Sequence, residues 1–501
     1  MGSGGMSRFR VFSACAVALI LGGLAAIPVQ AAQAAQAAQA RAKPGRADGA
    51  PPDLDWHQFL HGPGHSSRSL ATAFTPSNAA SVRQAWHWQP PVVTGKPAPV
   101  LDASPTVVGG QVFIGAQSGV FYALNEATGA VAWSRQLGTR PPGSCHSLGI
   151  TATAAVLPDP VTGTSTVYVS GARYLYALDA ATGTVSWRTQ IGPASAAAPD
   201  AYYNWSSPTV TGGHIYLGLA SGCDHPLIRG GVVELDQHTG RVLRTWYSVP
   251  AGSIGGSVWS SVAASGNGHD LWVSTGNECD PTIDTCPAGN KIGHSLSIAH
   301  LSASLKLLQS WQAPGTAGSG QDGDFGASPT LFGSSGRLAT VGACNKNGDF
   351  YALTANPLAR SPLWTDRVAA PDGTTGSCFA SADWDAPAGD LYLSGGATTI
   401  GTTRHGGSID DVNPATGAYI WRTGLPCAVV GTPALDSAGV LAVGTFYRCH
   451  STSDAYLLDA ATGSVLTTLP VGSTRVFGQP VFAQGALFVA TETNGLYDFV
   501  P

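Results

Sequence analysis

One phrase recurs along this chain, and it decides what the chain can fold into. Residues 119–133 read GVFYALNEATGAVAW and residues 173–187 read RYLYALDAATGTVSW. Residues 231–246 (GVVELDQHTGRVLRTW), 407–421 (GSIDDVNPATGAYIW) and 455–466 (AYLLDAATGSVL) keep the pattern, with weaker copies at 295–311 and 348–364. The first half of each copy alternates as a strand does. The Asp/Asn…Thr-Gly centre is a hairpin turn, where glycine supplies a positive φ. The second half is another strand ending on an apolar anchor. Trp133, Trp187, Trp364 and Trp421 fall at one repeat position, which assigns them to packing.

Two more strands precede each copy, as in SPTVVGGQVFIGA at 104–116 and SPTVTGGHIYLGL at 207–219. The unit is therefore a four-stranded antiparallel sheet. Starts near 102, 151, 205, 256, 325, 376, 430 and 476 give eight of them. Repeated four-stranded units without helices imply a propeller, here all-β with eight blades. The last unit has only three strands before Pro501. The N-terminal segment 83–89, RQAWHWQ, is the expected fourth, which closes the ring and removes an exposed sheet edge. Frequent Gly (64) and Pro (34) suit short strands and many turns. Only 11% of residues are charged and the net charge is −5, so nothing supplies the basic face that nucleic acid requires.

The first 31 residues have the form of an export signal. Arg8 and Arg10 precede an apolar run over 11–27, and Val29-Gln30-Ala31 is a cleavage-like site. An Ala/Gln/Pro-rich linker follows over 32–53, and the propeller is expected over 54–501. The expected location is secreted or extracytoplasmic, which leaves room for peripheral association with a membrane. Of nine cysteines, Cys15 lies in the apolar run; the other eight are an even set, which in an exported chain favours disulfides. Cys279 and Cys286 bracket one loop and are the first pair expected. Cys344 with Cys378 and Cys427 with Cys449 are plausible, but spacing alone does not deduce them.

The YALDAATGxxxW phrase resembles the pyrroloquinoline quinone (PQQ) repeat, over about residues 55–501. That repeat builds the eight-bladed propellers of quinoprotein alcohol dehydrogenases and also of non-enzymatic relatives. The chain has no C-x-x-C-H, so no attached haem is indicated. With DGDFGASPTLF at 322–332, this looks most like the polyvinyl-alcohol-dehydrogenase-like branch. The resemblance implies roles for particular residues. Trp259 matches the tryptophan that forms the floor under the quinone. Asn277, in Thr275-Gly276-Asn277, matches a calcium ligand. Residues 255–277 are expected as two strands joined by a polar turn, carrying Trp259 and Asn277 toward one opening. Asp324 matches the catalytic base, which also adjoins the metal, and Asp322 is the second choice. Lys346, in Lys-Asn-Gly, matches the basic residue that reaches the quinone oxygens. Three departures stand beside these matches. Cys145-His146 replaces the family's adjacent cysteine pair over the quinone, although both can face the pocket. The arginine expected shortly after it is missing from LGITAT. The calcium-binding glutamate has no match, and Asp224 in GCDHPLIRG is its substitute.

The chemistry wants these residue types. Oxidising an alcohol removes a proton from oxygen and a hydride from carbon. A carboxylate within reach of the hydroxyl takes the proton. Calcium on a quinone oxygen acts as a Lewis acid and takes oxygen ligands such as carboxylates and amide carbonyls. An ammonium stabilises charge building on that oxygen. The reading is a PQQ- and Ca²⁺-dependent alcohol dehydrogenase. Its substrate is an alcohol, polymeric ones included, and its partner is an external electron acceptor such as a cytochrome. The rival is a non-catalytic propeller acting as a scaffold or binding module. A propeller hydrolase finds no G-x-S-x-G or paired-carboxylate motif here. Asp383 and Asp385 flank Trp384 at a strand–turn junction and receive no role.

Overall fold

The computed structural model describes residues 53–92, 94–95, 99–140, 149–193, 201–315, 322–333, 339–371, 377–446 and 454–501. The signal-like segment and linker lie outside these residues, as do Cys145, His146 and Cys449. Residues 53–501 form one compact unit. Among the described residues there is no α-helix, only two three-residue 3-10 turns, and no helix long and apolar enough to cross a membrane.

The unit is an eight-bladed β-propeller. Seven antiparallel sheets follow in chain order over 106–136, 155–190, 209–247, 263–312, 330–367, 383–425 and 434–469 (blades 1–7). Blade 8 takes three strands from 481–500, and its fourth is Arg83–Trp88, paired antiparallel with Gly495–Val500. Blade 3 carries an added short strand, Tyr202–Tyr203, and blade 6 an added hairpin, Thr398–Ile400 with Thr403–His405.

The repeated phrase explains how blades join. In blade 2 the Asp179 carboxylate accepts from Thr182 N–H at 2.8 Å and Thr182 Oγ1 at 2.9 Å, which shapes the turn. Gly183 then sits at φ +66°. The Trp133 indole of blade 1 lies against that glycine, so close that a Cβ would come within 2.4 Å of the ring. Trp133 Nε1 donates to Ala180 O at 2.9 Å. Trp187 meets Gly240, Trp364 meets Gly417 and Trp421 meets Gly463 in the same way. Trp86 of the N-terminal strand meets Gly129 of blade 1, and its Nε1 donates to Glu126 O at 2.8 Å. Tryptophan and glycine are thus two halves of one joint, set in neighbouring blades.

Nearer the axis, short inner strands leave backbone N–H groups that a buried segment must satisfy. In six of the eight blades a hydroxyl two residues before the inner strand does this for the preceding blade. Ser104 N donates to Thr153 Oγ1 at 3.1 Å, Thr153 N to Ser207 Oγ at 3.0 Å, and Ser207 N to Ser261 Oγ at 2.9 Å. Ser261 N donates to Ser328 Oγ at 2.8 Å and Ser381 N to Thr432 Oγ1 at 3.1 Å. Gln479 N returns to Ser104 Oγ at 2.8 Å.

At the other end of the inner strands, residues 54–71 make one circuit beneath all eight blades. The carbonyls of Leu54, Trp56 and His57 accept from Gln484, Val107 and Val156 in blades 8, 1 and 2. Gln58 Oε1 accepts from Val210 N in blade 3. The carbonyls of Pro63, Gly64, Ser66 and Ser67 accept from Ala264, Leu331, Trp384 and Leu435 in blades 4 to 7. Trp56 and Leu60 are fully buried within this belt.

Gly129→Ala tests the joint between blades 8 and 1. The new methyl must displace the Trp86 ring and sit at φ +68°. The expected loss is about 1–3 kcal/mol, typical of overpacking, read as a lower melting temperature. A variant that melts with the wild type would show that the joint carries no stability.

Candidate functional site

Alternation along the extended segments before the inner strands turns one residue per blade toward the axis. These residues are Asp102, Thr151, Trp205, Trp259, Gly326, Phe379, Val430 and Phe477, four positions ahead of each strand. Below them the hydroxyl ring encloses a narrow chamber of about 100 Å³. Above them opens a cavity of about 520 Å³ on the face opposite the belt.

Asp324 stands in the wall of this cavity and is buried. Its Oδ2 accepts from Trp259 Nε1 at 2.7 Å, and its Oδ1 lies 2.7 Å from Lys346 Nζ. The same ammonium binds Asp322 at 2.7 Å and 2.9 Å, and it sits 4.9 Å from the Trp259 ring centroid. Asn277 Nδ2 donates to Asp322 Oδ1 at 2.8 Å and to Asp224 Oδ2 at 3.2 Å. Ser221 Oγ holds the other Asp224 oxygen at 3.2 Å. Local backbone explains the aim. Lys346 N donates to Asp324 O at 2.9 Å, and Asn345 Nδ2 donates to Gly323 O at 3.0 Å, so the two loops are tied together. Gly276 passes beside Asp324, where a Cβ would come within 3.3 Å of Oδ2.

Burial pushes the Asp324 carboxyl up, with Asp322 and Asp224 adding to the rise and Lys346 opposing it. Burial also raises Asp224. Burial acts on Asp322 in the same sense, but Lys346 and Asn277 outweigh it and hold the group low. Burial alone would lower Lys346; Asp324 and Asp322 hold it above the ordinary lysine range. Three carboxylates surround one ammonium, so the site is short of positive charge. Carboxylate and amide oxygens are the donors a hard divalent cation takes. Turned about, the Asn277 amide sets its oxygen between the two carboxylates it now donates to. The donor set therefore fits calcium, and the open Trp259 face fits a flat aromatic group.

Five sequence candidates, Trp259, Asn277, Asp322, Asp324 and Lys346, thus meet at one spot, with Asp224 as a sixth. Cys145 and His146 lie outside the described residues. The expected hairpin around Trp259 is shorter than foreseen. Its strands are only Ala263–Ala264 and Asp270–Ser274, and Trp259 lies ahead of them in extended chain. Sequence reasoning missed the far wall. Phe379 packs 5.2 Å from Trp259, Phe477 lies 5.8 Å from Phe379, and Phe446 lies 5.3 Å from Phe477, between ring centroids. It also missed Asp102, which accepts from Gln117 Nε2 and which burial raises to about 6. Glu492, 3.4 Å from Arg475, is raised by burial and then by Asp102 to about 7. Aligning the segments before the inner strands would have found Asp102, Phe379 and Phe477, because they share the Trp259 position.

Residues 56–280 match the β-propeller domain model of glucose/ethanol/alcohol dehydrogenases, PQQ, and residues 405–499 match that of outer membrane protein assembly factor BamB, PQQ_2. Segments at both ends of the propeller thus match PQQ-type propeller models. The chain is similar to the polyvinylalcohol dehydrogenase of Pseudomonas sp., 28% identical over 197 residues, 34% of this chain and 29% of that protein. The polyvinylalcohol dehydrogenase of Sphingopyxis sp. (strain 113P3) is 27% identical over 200 residues, 34% of this chain and 28% of that protein. The chain therefore matches less than a third of these relatives' length. Its fold is that of the quinohemoprotein alcohol dehydrogenase of Comamonas testosteroni, with TM-score 0.68, 18% identity, and 94% of this chain and 84% of that chain covered. A europium-containing methanol dehydrogenase superposes with TM-score 0.69 at 15% identity, over 89% of this chain and 98% of that one.

Protons and a cation compete for raised carboxylates. A divalent cation held by these donors is expected to bind more tightly as pH rises across about 7, where the raised Asp324 carboxyl ionises, with proton release on binding. Calorimetric titration in buffers of different ionisation heat reads both. An affinity flat across that pH would remove these carboxylates from the metal site.

Proposed function

We propose that this protein is an exported alcohol dehydrogenase that uses PQQ and calcium and hands electrons to an external acceptor such as a cytochrome. The observation that carries the reading is Asp324, a buried carboxylate held between an indole N–H and an ammonium in the cavity wall. The similarity to polyvinylalcohol dehydrogenases supports an alcohol substrate, and a polymeric one is included. The disulfides Cys279–Cys286 and Cys344–Cys378 support an oxidising compartment, as does the signal-like N-terminus.

When bound, PQQ with its calcium ion supplies the two-electron acceptor for the alcohol's hydride. Trp259 gives that group a flat apolar floor. Asp224, Asn277 and Asp322 offer the oxygen donors for calcium, and Asp324 adjoins them. Asp324 accepts the hydroxyl proton. Its raised proton affinity suits a base that must take a proton and later release it near neutrality. Trp259 Nε1 and Lys346 Nζ each occupy one Asp324 oxygen, which fixes the carboxylate's orientation. Lys346 keeps a positive charge near the reacting centre, where it stabilises developing negative charge. The phenylalanine wall excludes water and offers an apolar surface to the substrate's carbon chain.

Asp324→Asn should keep the packing yet lose about 10²–10⁴-fold in kcat/KM, since an amide accepts no proton. Dye reduction with PQQ, Ca²⁺ and a series of alcohols measures this. The second reading, a non-catalytic scaffold, draws on the match of residues 405–499 to the BamB model. It expects no heat when wild-type protein is titrated with PQQ in millimolar calcium, and no change in melting temperature. That result would sink the dehydrogenase.

A further inference from the structure

Several disulfide-bonded cysteines flank the site residues, and Cys427 is bonded as well. Lys346 lies two residues after Cys344 and Phe379 lies next to Cys378, and these two cysteines are bonded. Asn277 lies two residues before Cys279, which is bonded to Cys286. Asp224 follows Cys223, which is also disulfide-bonded. The belt, the hydroxyl ring and the tryptophan–glycine joints use no cysteine.

The Cys344–Cys378 bond spans the joint between blades 5 and 6. At that joint the ring of N–H-to-hydroxyl bonds is interrupted. Ser261 donates to Ser328 and Ser381 donates to Thr432, but Ser328 and Ser381 are not bonded to each other. What remains of the inner ring there is Thr330 Oγ1 donating to Ala382 O at 3.0 Å. The interruption falls where Gly326 meets Phe379, whose ring would lie 2.5 Å from any Cβ at that position. The bond brings the two Cα atoms to 5.1 Å. It thereby sets Lys346 on one side of Asp324 and Phe379 against Trp259 on the other.

We propose that the Cys344–Cys378 disulfide is a positioning element of the reaction centre: it holds Lys346 on Asp324 and Phe379 on Trp259 across a joint where the hydroxyl ring is interrupted. This rests on the reading of Lys346 and Asp324 as reaction-centre residues. It adds that their geometry depends on oxidation of two neighbouring thiols, while the propeller itself does not.

Lysine footprinting tests this without relying on turnover. Lys346 is nearly buried and doubly ion-paired, whereas Lys291 and Lys306 are exposed. Folded full-length protein is treated with an amine-acylating reagent, and modification at each lysine is followed by mass spectrometry. In Cys344→Ala/Cys378→Ala, Lys346 should react at least about ten-fold faster than in the wild type, as local opening requires. Lys291 and Lys306 should keep their rates. Cys279→Ser/Cys286→Ser should leave Lys346 protected. In the dye assay, kcat of the first variant should fall more than KM for the alcohol changes. If the first variant does not fold, wild-type protein reduced and alkylated under native conditions replaces it. Lys346 still protected after loss of the bond, or equally exposed in both cysteine variants, would overturn the proposal. Absence of PQQ turnover in the wild type would count against the dehydrogenase and leave the footprint to decide the positioning.

Discussion

A backbone N–H given to a hydroxyl of the next blade is the contact on which the rest of this molecule depends. The inner strands are two to four residues long and buried, so sheet pairing cannot satisfy the chain that leads into them. Serine or threonine two residues ahead of the strand meets that need from the neighbouring blade. The same alternation that turns this hydroxyl sideways brings the residue two positions earlier to the axis. Ring closure and cavity lining are therefore one decision of the backbone. A blade can change its axial residue, from Asp102 to Trp259 to Phe379, without disturbing the hydrogen bond that joins it to the next.

The site exploits that freedom and then adds groups from outside the ring. Trp259 occupies an axial position, while Asp324 and Lys346 reach in from the entry to blade 5 and its hairpin. Burying the Asp324 carboxylate against the Lys346 ammonium brings little net stability, since desolvation offsets attraction. Such clusters persist where proton affinity must be set, and a cavity that contains one is where chemistry is sought. Asp102 and Glu492 repeat the theme on the opposite wall with raised carboxyls of their own.

The parts legible in the sequence are those with local causes. The Asp/Asn-x-x-Thr-Gly turn and its tryptophan are each visible within fifteen residues, because turn geometry and anchor are encoded side by side. Trp259, Asn277, Asp324 and Lys346 could be read in order along two blades, and the structure gathers them. The belt over 54–71 was not legible. Most of its contacts are backbone carbonyls, which leave no side-chain signature, and it follows no repeat. The far wall was hidden for another reason. Phe446 and Glu492 lie off the shared axial position, and only the closed ring brings them into the cavity that Trp259 lines. The hairpin after residue 255 was overread as strand, since the chain at Trp259 turns toward the axis and pairs only from Ala263.

The belt and the outer strand of blade 8 bring segments 54–71 and 83–88 against the ring that closes on residues 481–500. His87 contacts Asn494 across 407 residues of chain, and Leu54 reaches Gln484. No blade-by-blade intermediate can make these contacts early, and chains dominated by such long-range pairs fold slowly. Opening the ring at blade 8 breaks these contacts together. Time is then the relevant scale for this molecule. Its working life is set by the rate at which the closure is first breached, not by the free energy of the unfolded chain.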